Sequence, residues 1–258
     1  MFREKYPEAW IFHNGTSRSE LKTLQFQQAQ SNQESYKEYL GSTTILLPDV
    51  KIPPVNFGEL LFERYSCRNF KNIPLDINDI SNLLFAGYGK CKTLILGNTE
   101  FIERTVPSGG GLYPLEFYII VKNVTGLKQG IYHYVITPGL LETVKEIALP
   151  KYFLENLFMQ QPYVADAPAV IVATSVIERS MKKYFDRGYR YILFEAGHAF
   201  QNINLMATAC GLGSVNIGGF FDNDLCKVLA IDRDEEIPLY AMAVGVPDGN
   251  SITARSPD

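Results

Sequence analysis

The most regular apolar pattern in the sequence runs from residue 189 to residue 211. Its apolar side chains recur at spacings of three and four, which is the repeat of one buried face of an α-helix. They are Ile192, Leu193, Ala196, Phe200, Ile203, Met206, Ala207 and Cys210. Gly211 follows at once, and glycine commonly ends a helix because it tolerates the left-handed backbone found there. The sequence therefore predicts a long helix that ends at Gly211 and packs one face against a large apolar surface.

Five segments around this helix are rich in β-branched and aromatic residues, which is typical of β-strands. They are residues 116–123, 130–136, 169–177, 214–220 and 238–247. Shorter helical patterns occupy residues 58–64, 74–89 and 223–230. In the second of these, Asp76 is the expected N-cap and Asp79 follows three residues later, the spacing of a capping box. Because strands and helices mix without a strict βαβ alternation, we predict an α+β domain with one central sheet, mixed or antiparallel, flanked by helices.

Composition excludes several kinds of partner. The 258 residues carry a formal charge of −4, and no basic stripe favours nucleic acid. The cysteines share no CxxC spacing and the three histidines are scattered, which predicts neither a metal site nor a disulfide framework. The N-terminus lacks the apolar core of a signal peptide, and the longest apolar run, residues 167–177, is too short to cross a bilayer. We therefore expect a cytoplasmic protein with no membrane partner.

The first 55 residues differ from the remainder. Residues 17–40 are polar, rich in glutamine and free of glycine and proline, which predicts a solvent-exposed helix. A proline-marked extended linker follows over residues 46–54. We interpret residues 1–55 as an N-terminal helical arm and linker, and residues 56–258 as the main domain. The arm either wraps a partner subunit or is a loosely attached helix.

The segment "RTVPSGGGLYPLE", residues 104–116, contains three consecutive glycines before a predicted strand. A bare backbone is needed where φ is positive or where another group approaches the main chain closely. The segment is therefore either a tight loop that enters the strand or a loop against which a ligand lies. A second glycine pair, Gly218–Gly219, follows a short strand and would leave its amides open to a flat ligand such as a flavin.

In "ERYSCRNF", residues 63–70, Arg64, Ser66 and Arg68 alternate. An extended backbone would place their side chains on one face. Two guanidinium groups and a hydroxyl would then form a phosphate clamp, and the alternative is a solvated basic turn.

Common catalytic signatures are absent from the sequence. The segment "YGKCKT" has Cys91 where a phosphate-binding P-loop needs serine or threonine, and no GxGxxG follows a strand. Glu195 and His198 form one ExxH pair, whereas a di-iron bundle needs two copies and further glutamates. A buried ion pair or an interface contact is the favoured interpretation of that pair. No G-x-S-x-G elbow of a serine hydrolase is present.

Taken together, three segments resemble those of the nitroreductase-like flavoproteins, and the resemblance covers most of residues 56–258. "ERYSCRNF" matches the R-x-S-x-R/K pattern of that family, "PSGGGLYP" its P-S-x-x-x-x-x-P loop, and "GLGSVNIGGF" its G-L-x-x-x-x-I-x-G-F segment. Many members have asparagine at the position of Gly111. The resemblance implies a nitroreductase-like fold, an intertwined homodimer and noncovalent FMN. The cofactor-binding residues that it implies are Arg64, Ser66, Arg68, Pro107, Ser108, Gly109, Gly110, Gly111, Gly218 and Gly219, with Arg255 as a weaker candidate for the phosphate.

Within that superfamily, "RTVPSGGGLYPLEFYIIV", "GIYHY" and "KYFDRGYRYILFEAGHAFQN" resemble the SagB-type azoline dehydrogenases. This branch has a Lys-Tyr pair, matched by Lys183 and Tyr184. The resemblance implies oxidation of thiazoline or oxazoline rings in a modified peptide to thiazole or oxazole, beside a cyclodehydratase complex. Tyrosine, with an ordinary pKa of about 10, is a poor base unless a neighbouring ammonium lowers that pKa. We expect the pair to lie on a loop or turn from which both side chains reach the site, and the alternative is a charged surface loop.

Two other functions remain open at this point. One is an NAD(P)H-dependent reductase of nitro compounds or quinones, which would need the same FMN site but no Lys-Tyr pair. The other is an FMN-binding scaffold subunit of a peptide-modifying complex.

Overall fold

A seven-stranded sheet dominates the computed structural model of the chain, which describes residues 2–17, 37–96 and 99–249. Its strands are β1 (Thr44–Leu46), β4 (Leu115–Val121), β5 (Gly130–Val135), β6 (Leu140–Glu146), β7 (Ala169–Val176), β8 (Gly213–Ile217) and β9 (Glu236–Gly245). Their order across the sheet is β1-β6-β5-β4-β7-β9-β8, and every neighbouring pair is antiparallel. A separate hairpin consists of β2 (Lys90–Leu96) and β3 (Thr99–Arg104). Of the two sheet types predicted, the antiparallel one is observed.

Helices cover both faces of this sheet. The helices of the described residues are α1 (Phe2–Lys5), α2 (Pro7–Gly15), α3 (Phe57–Glu63), α4 (Ile77–Tyr88), α5 (Lys151–Leu157), α6 (Pro162–Asp166), α7 (Glu178–Tyr184), α8 (Asp186–Ala209) and α9 (Asp222–Leu229). Leu83 of α4 and Phe200 of α8 pack with Phe117 of β4 in the core of one face. Leu157 of α5 and Leu225 of α9 belong to the core of the other face. None of these helices is long and apolar enough to cross a membrane.

The long helix forms where the apolar spacing predicts it. It begins three residues earlier, at Asp186, and ends at Ala209. Gly211 adopts a φ of +71° and donates its N–H to the Thr208 carbonyl at 3.0 Å, as expected for a glycine that ends a helix. Leu193 is the exception on the predicted face, since its side chain is 39% exposed. The capping box of α4 is also confirmed, with Asp76 and Asp79 in their predicted roles.

Other elements were not predicted, namely β1, β6, the β2–β3 hairpin and the helices α1, α2, α5, α6 and α7. The largest correction concerns residues 178–184, because Lys183 and Tyr184 lie in the last turn of a helix and not on a loop. Phe185, with a φ of +51°, then separates α7 from α8. The predicted arm helix over residues 17–40 lies mostly outside the described residues, and residues 37–40 are not helical.

Candidate active site

The glycine loop, residues 107–111, requires glycine for both of the reasons predicted from the sequence, a positive φ and the close approach of other groups. Gly110 and Gly111 have φ values of +69° and +68°, a region that glycine enters without a steric penalty. A Cβ atom at position 110 would lie 2.8 Å from the Lys183 Nζ atom and would also overlap the Tyr184 hydroxyl. The loop is closed by the Gly111 N–H, which donates to the Ser108 carbonyl at 3.1 Å. The structure therefore brings the predicted cofactor loop into contact with the predicted catalytic pair.

Helix α7 holds Lys183 and Tyr184 at this position. Arg179, in the first turn of α7, forms a buried ion pair with Glu116 at 2.6 Å, next to the point where the glycine loop enters β4. The Tyr184 ring meets the Tyr191 ring edge-on, with centroids 4.9 Å apart. The Lys183 Nζ atom lies 5.6 Å from the Tyr184 ring centroid. Both side chains are half-buried, so they can contact a bound ligand while the helix end stays anchored.

Glu195 lies beneath the loop, on the buried face of α8. Its side chain is 2% exposed and accepts a hydrogen bond from the Tyr88 hydroxyl. Burial raises the pKa of the Glu195 carboxyl from the ordinary 4.5 to about 7, although hydrogen bonds from Ser108 and Tyr88 and the charge of Arg104 act in the opposite direction. Ser108 Oγ also accepts the Tyr113 N–H at 2.9 Å. Ser108 of the predicted loop is thus held both by Glu195 of α8 and by the backbone of Tyr113.

Arg104 completes this buried layer. Its guanidinium group lies between two tyrosine rings, 4.4 Å from the centroid of Tyr88 and 4.5 Å from that of Tyr113. The Arg104 N–H donates to the Tyr113 hydroxyl at 3.2 Å, and the Leu115 N–H donates to the Tyr88 hydroxyl at 3.2 Å. Burial raises the pKa of both tyrosines. They are therefore neutral hydrogen-bonding groups that support the loop.

The segment with Arg64, Ser66 and Arg68 follows the edge of the main sheet. Ser66 forms a parallel bridge with Ser214 of β8, and the Cys67 N–H donates to the Ser214 carbonyl at 2.9 Å. Cys67 is buried, whereas Ser66 and Arg68 are exposed and Arg64 is half-buried. The alternation predicted for an extended backbone is therefore observed over residues 66–68, whereas Arg64 and Tyr65 are both half-buried.

Gly218 and Gly219 directly follow β8, at the same end of the sheet at which the glycine loop leads into β4. Neither the Gly219 N–H nor the Phe220 N–H has an acceptor within the described part of the chain. The Gly219 carbonyl, in contrast, accepts a hydrogen bond from Gln161 Nε2 at 3.1 Å. Two open amides beside a bare backbone suit a planar ligand with hydrogen-bond acceptors.

The predicted residues form two separate groups. Strands β7 and β9 lie between β4, which follows the glycine loop, and β8, which precedes Gly218. At about 4.8 Å per strand interval, the two groups are about 14 Å apart across the sheet. Within the residues described, no hydrogen bond joins the glycine loop to Gly218–Gly219 or to the segment from Arg64 to Arg68. Arg255 lies outside the described residues.

The ExxH pair does not converge on one point. Glu195 is buried, whereas His198 is exposed on another face of the same helix. Among the described residues, no group of three or more histidine, cysteine, aspartate or glutamate side chains could hold a metal ion. Sequence reasoning missed the role of Glu195 beneath the loop, although a carboxylate within a buried helix face was a usable signal. It missed Gln161 entirely, and no sequence signal marks that residue.

Comparison with known proteins identifies the relatives of this chain. The sequence matches the nitroreductase family over residues 61–246. MJ1384 of Methanocaldococcus jannaschii, which is named as a nitroreductase, is 38% identical over 213 residues, covering 80% of this chain and 98% of that protein. The trifolitoxin-processing protein TfxB of Rhizobium leguminosarum bv. trifolii is 29% identical over 66% of this chain and 47% of TfxB. The microcin B17-processing protein McbC of Escherichia coli is 28% identical over 56% of this chain and 54% of McbC. The chain thus matches about half the length of each processing protein.

Solved structures share the fold. A protein from Anabaena variabilis, described as a nitroreductase, matches with a TM-score of 0.69 and 26% identity over 92% of this chain and 47% of its own. A chain of the E. coli microcin synthetase McbBCD complex, with truncated pro-MccB17 bound, matches with a TM-score of 0.61 and 23% identity over 92% of this chain and 86% of its own. A Desulfovibrio desulfuricans protein, described as a nitroreductase in complex with FMN, matches with a TM-score of 0.53 and 20% identity over 79% of this chain and 94% of its own. Sequence and fold agree: this chain belongs to the nitroreductase family and is an oxidoreductase of that fold.

Proposed function

We propose that this protein is an FMN-dependent dehydrogenase that oxidises thiazoline or oxazoline rings in a modified peptide to thiazole or oxazole. The observation that carries the proposal is the contact of Lys183 and Tyr184 with the bare backbone of Gly110. This contact places two residues that could transfer a proton beside the loop that the resemblance assigns to the cofactor. The relatives TfxB and McbC, both named as peptide-processing proteins, support a peptide substrate.

The residues present fit a flavin. A Cβ atom at Gly111 or Gly218 would meet no atom of the described chain within 4 Å, which leaves room for a ligand beside the backbone, and the amides of Gly219 and Phe220 offer hydrogen bonds that the described chain does not use. Arg64 and Arg68 supply positive charge for a phosphate, to which guanidinium groups bind with matched donors. FMN, when bound, would accept the hydride equivalent from the substrate ring and would later return the electrons to a further acceptor.

The chain's own residues would handle the proton. Aromatisation removes one hydride and one proton from the azoline ring, so a base has to stand beside the reacting ring. We assign that role to the Tyr184 oxygen, with the Lys183 ammonium stabilising the phenolate, or to the same two residues with their roles exchanged. General acid–base catalysis of this kind contributes about 10²–10⁴ to a rate.

We place this site between two copies of the chain, as the resemblance to the family implies. The two groups of predicted residues lie about 14 Å apart within one copy, which is three strand intervals of the sheet. Large apolar side chains are exposed on α3 and α8, including Phe62 at 92% and Phe194 at 56%. Exposed apolar residues of this size favour an interface. We therefore propose a homodimer with FMN at its interface, and a cyclodehydratase complex as a further partner.

A specific observation favours a second candidate, an NAD(P)H-dependent reductase of nitro compounds or quinones. MJ1384, named as a nitroreductase, matches over nearly its whole length, whereas the two processing proteins match over about half of theirs. Such a reductase would need no protein base, because hydride would enter and leave the same cofactor. The two functions therefore differ in how strongly they depend on Lys183 and Tyr184.

The test compares azoline oxidation in wild type, Lys183→Ala and Tyr184→Phe, measured as loss of the mass of two hydrogen atoms from a cyclised peptide. Both variants should retain FMN and lose about 10²–10⁴ in rate. Matched controls are Lys182→Ala, whose exposed side chain pairs with Glu178 on the surface, and Tyr189→Phe, whose ring contacts Phe12.

Turnover of NAD(P)H with a nitroaromatic acceptor is measured beside it. If wild type oxidises no azoline peptide and consumes NAD(P)H rapidly in all variants, the reductase function is the correct one.

A further inference from the structure

We propose that Gln161 is a positioning residue that fixes the Gly218–Gly219 backbone against the cofactor. This inference rests on the proposed function. The Gln161 amide donates to two carbonyls, that of Phe158 at 2.8 Å and that of Gly219 at 3.1 Å. Its oxygen accepts the hydroxyl of Tyr163. Both amide hydrogens and the oxygen are therefore engaged, which leaves the amide one orientation.

The turn before Gln161 is held in an uncommon backbone conformation. Met159 and Gln160 have φ values of +54° and +60°, which non-glycine residues adopt rarely and at a cost in free energy. The turn persists because its N–H groups are bonded. Met159 donates to the Asn156 carbonyl at 3.1 Å, and Gln160 donates to the Glu155 carbonyl at 2.7 Å. The direction of Gln161 is thus set by α5 and does not depend on the glycine pair.

The hydrogen bond to Gly219 determines where the next amide points. In a planar trans peptide the C=O and N–H groups have opposite directions. Because the Gly219 carbonyl faces Gln161, the Phe220 N–H faces away from it, and this N–H has no acceptor among the described residues. Without Gln161, the Gly218–Gly219 link would have the wider conformational freedom of glycine. Gln161 therefore keeps one open amide aimed at the cofactor side.

Tyr163 connects this arrangement to the second predicted cofactor segment. The Arg68 guanidinium lies 5.8 Å from the centroid of the Tyr163 ring, within the range of a cation–π contact. Arg68, Tyr163, Gln161 and Gly219 thus form a continuous series of contacts between two segments that are far apart in the chain.

The test uses full-length protein with added FMN. Gln161→Met keeps the length of the side chain and removes its hydrogen bonds. The control is Gln160→Asn, because the neighbouring glutamine amide bonds to Asn156 on the exposed surface and asparagine tolerates positive φ. We expect Gln161→Met to bind FMN roughly tenfold more weakly. It should also change the visible circular dichroism and the midpoint potential of the flavin, while the melting temperature without FMN should fall by about 2–4 °C for each 1 kcal/mol of hydrogen bonding lost. The control should match wild type in all four measurements.

A second variant covers the case in which Gln161→Met does not fold. Tyr163→Phe keeps the ring beside Arg68 and removes the hydroxyl that orients the amide, so it should change the flavin spectrum in the same direction. Wild-type spectra and potential in both variants, with FMN bound, would overturn the inference and leave the proposed function standing. A wild-type protein that binds no FMN would overturn the proposed function itself.

Discussion

Replacing Glu195 by glutamine should remove a pH dependence that the buried layer beneath the glycine loop gives to folding. The Glu195 side chain is 2% exposed, and burial raises its pKa to about 7. Glutamine has nearly the same shape and can still accept a hydrogen bond from Tyr88. It carries no charge at any pH, so the variant keeps the packing and loses the titration.

The magnitude follows from the two pKa values. Moving the pKa from 4.5 in the unfolded chain to about 7 in the fold corresponds to about 3 kcal/mol, at 1.36 kcal/mol for each pH unit. The folded state binds this proton more tightly than the unfolded state does. The stabilisation is therefore fully present below about pH 4.5 and is lost as the pH rises through about 7. The free energy of unfolding of the wild type should fall over that window by about 3 kcal/mol more than that of Glu195→Gln.

Urea unfolding at roughly pH 5 and roughly pH 8, with protein and FMN concentrations held fixed, measures this difference. Glu146→Gln is the matched control, because Glu146 lies on the surface and pairs with exposed Lys128. The variant-minus-wild-type comparison cancels the titration of all other groups. Equal pH dependence in wild type and Glu195→Gln would refute the reasoning, since it would mean that Glu195 is ionised in the fold at little cost.

Three further variants test other parts of the site. Arg64→Ala should weaken FMN binding by about 1.5–3 kcal/mol through loss of a charge-assisted phosphate contact, measured by fluorescence titration, and unchanged affinity would remove Arg64 from the clamp. Gly110→Ala should abolish azoline oxidation, because its Cβ would displace Lys183 and Tyr184. Gly111→Ala shares the positive φ but meets nothing within 4 Å, so it should leave Lys183 and Tyr184 in place and lose less activity than Gly110→Ala. Equal activity in the two alanine variants would contradict the close approach.

The elements that the sequence predicts correctly carry their own local signal. Helix α8 has apolar residues at helical spacing, and Asp76 and Asp79 satisfy each other's backbone at the start of α4. Strands β4, β5 and β7 are dense in β-branched and aromatic residues, because they are buried on both faces of the sheet.

Elements that depend on distant partners could not be predicted in this way. Strand β6 ends in exposed charged residues and is a strand because it pairs with β5 and β1. Helix α7 is too polar to show a periodic pattern, and it is fixed by the ion pair of Arg179 with Glu116. His133 lacks any motif in the sequence, yet it lies buried between Glu116 and Glu142 at 3.0 and 3.1 Å.

In the candidate site, too, a residue could be predicted only where the sequence around it carries a local signal. Gly110 could be predicted because a run of glycines indicates a positive φ or the close approach of other groups to the backbone. Both features are observed at Gly110. Gln161 carries no such mark, since it is one glutamine among many and its partner Gly219 lies 58 residues further along the chain. Contacts across that separation are defined by the fold.

Sedimentation velocity of the wild-type protein with FMN, recorded in both the protein band and the visible flavin band, tests the central claim most directly. We predict one boundary that has the mass of two chains and carries one flavin per chain, because the proposed function places FMN at an interface between two copies. A boundary without flavin absorbance after incubation with excess FMN would contradict the account, and flavin that sediments with a single chain would contradict the shared site.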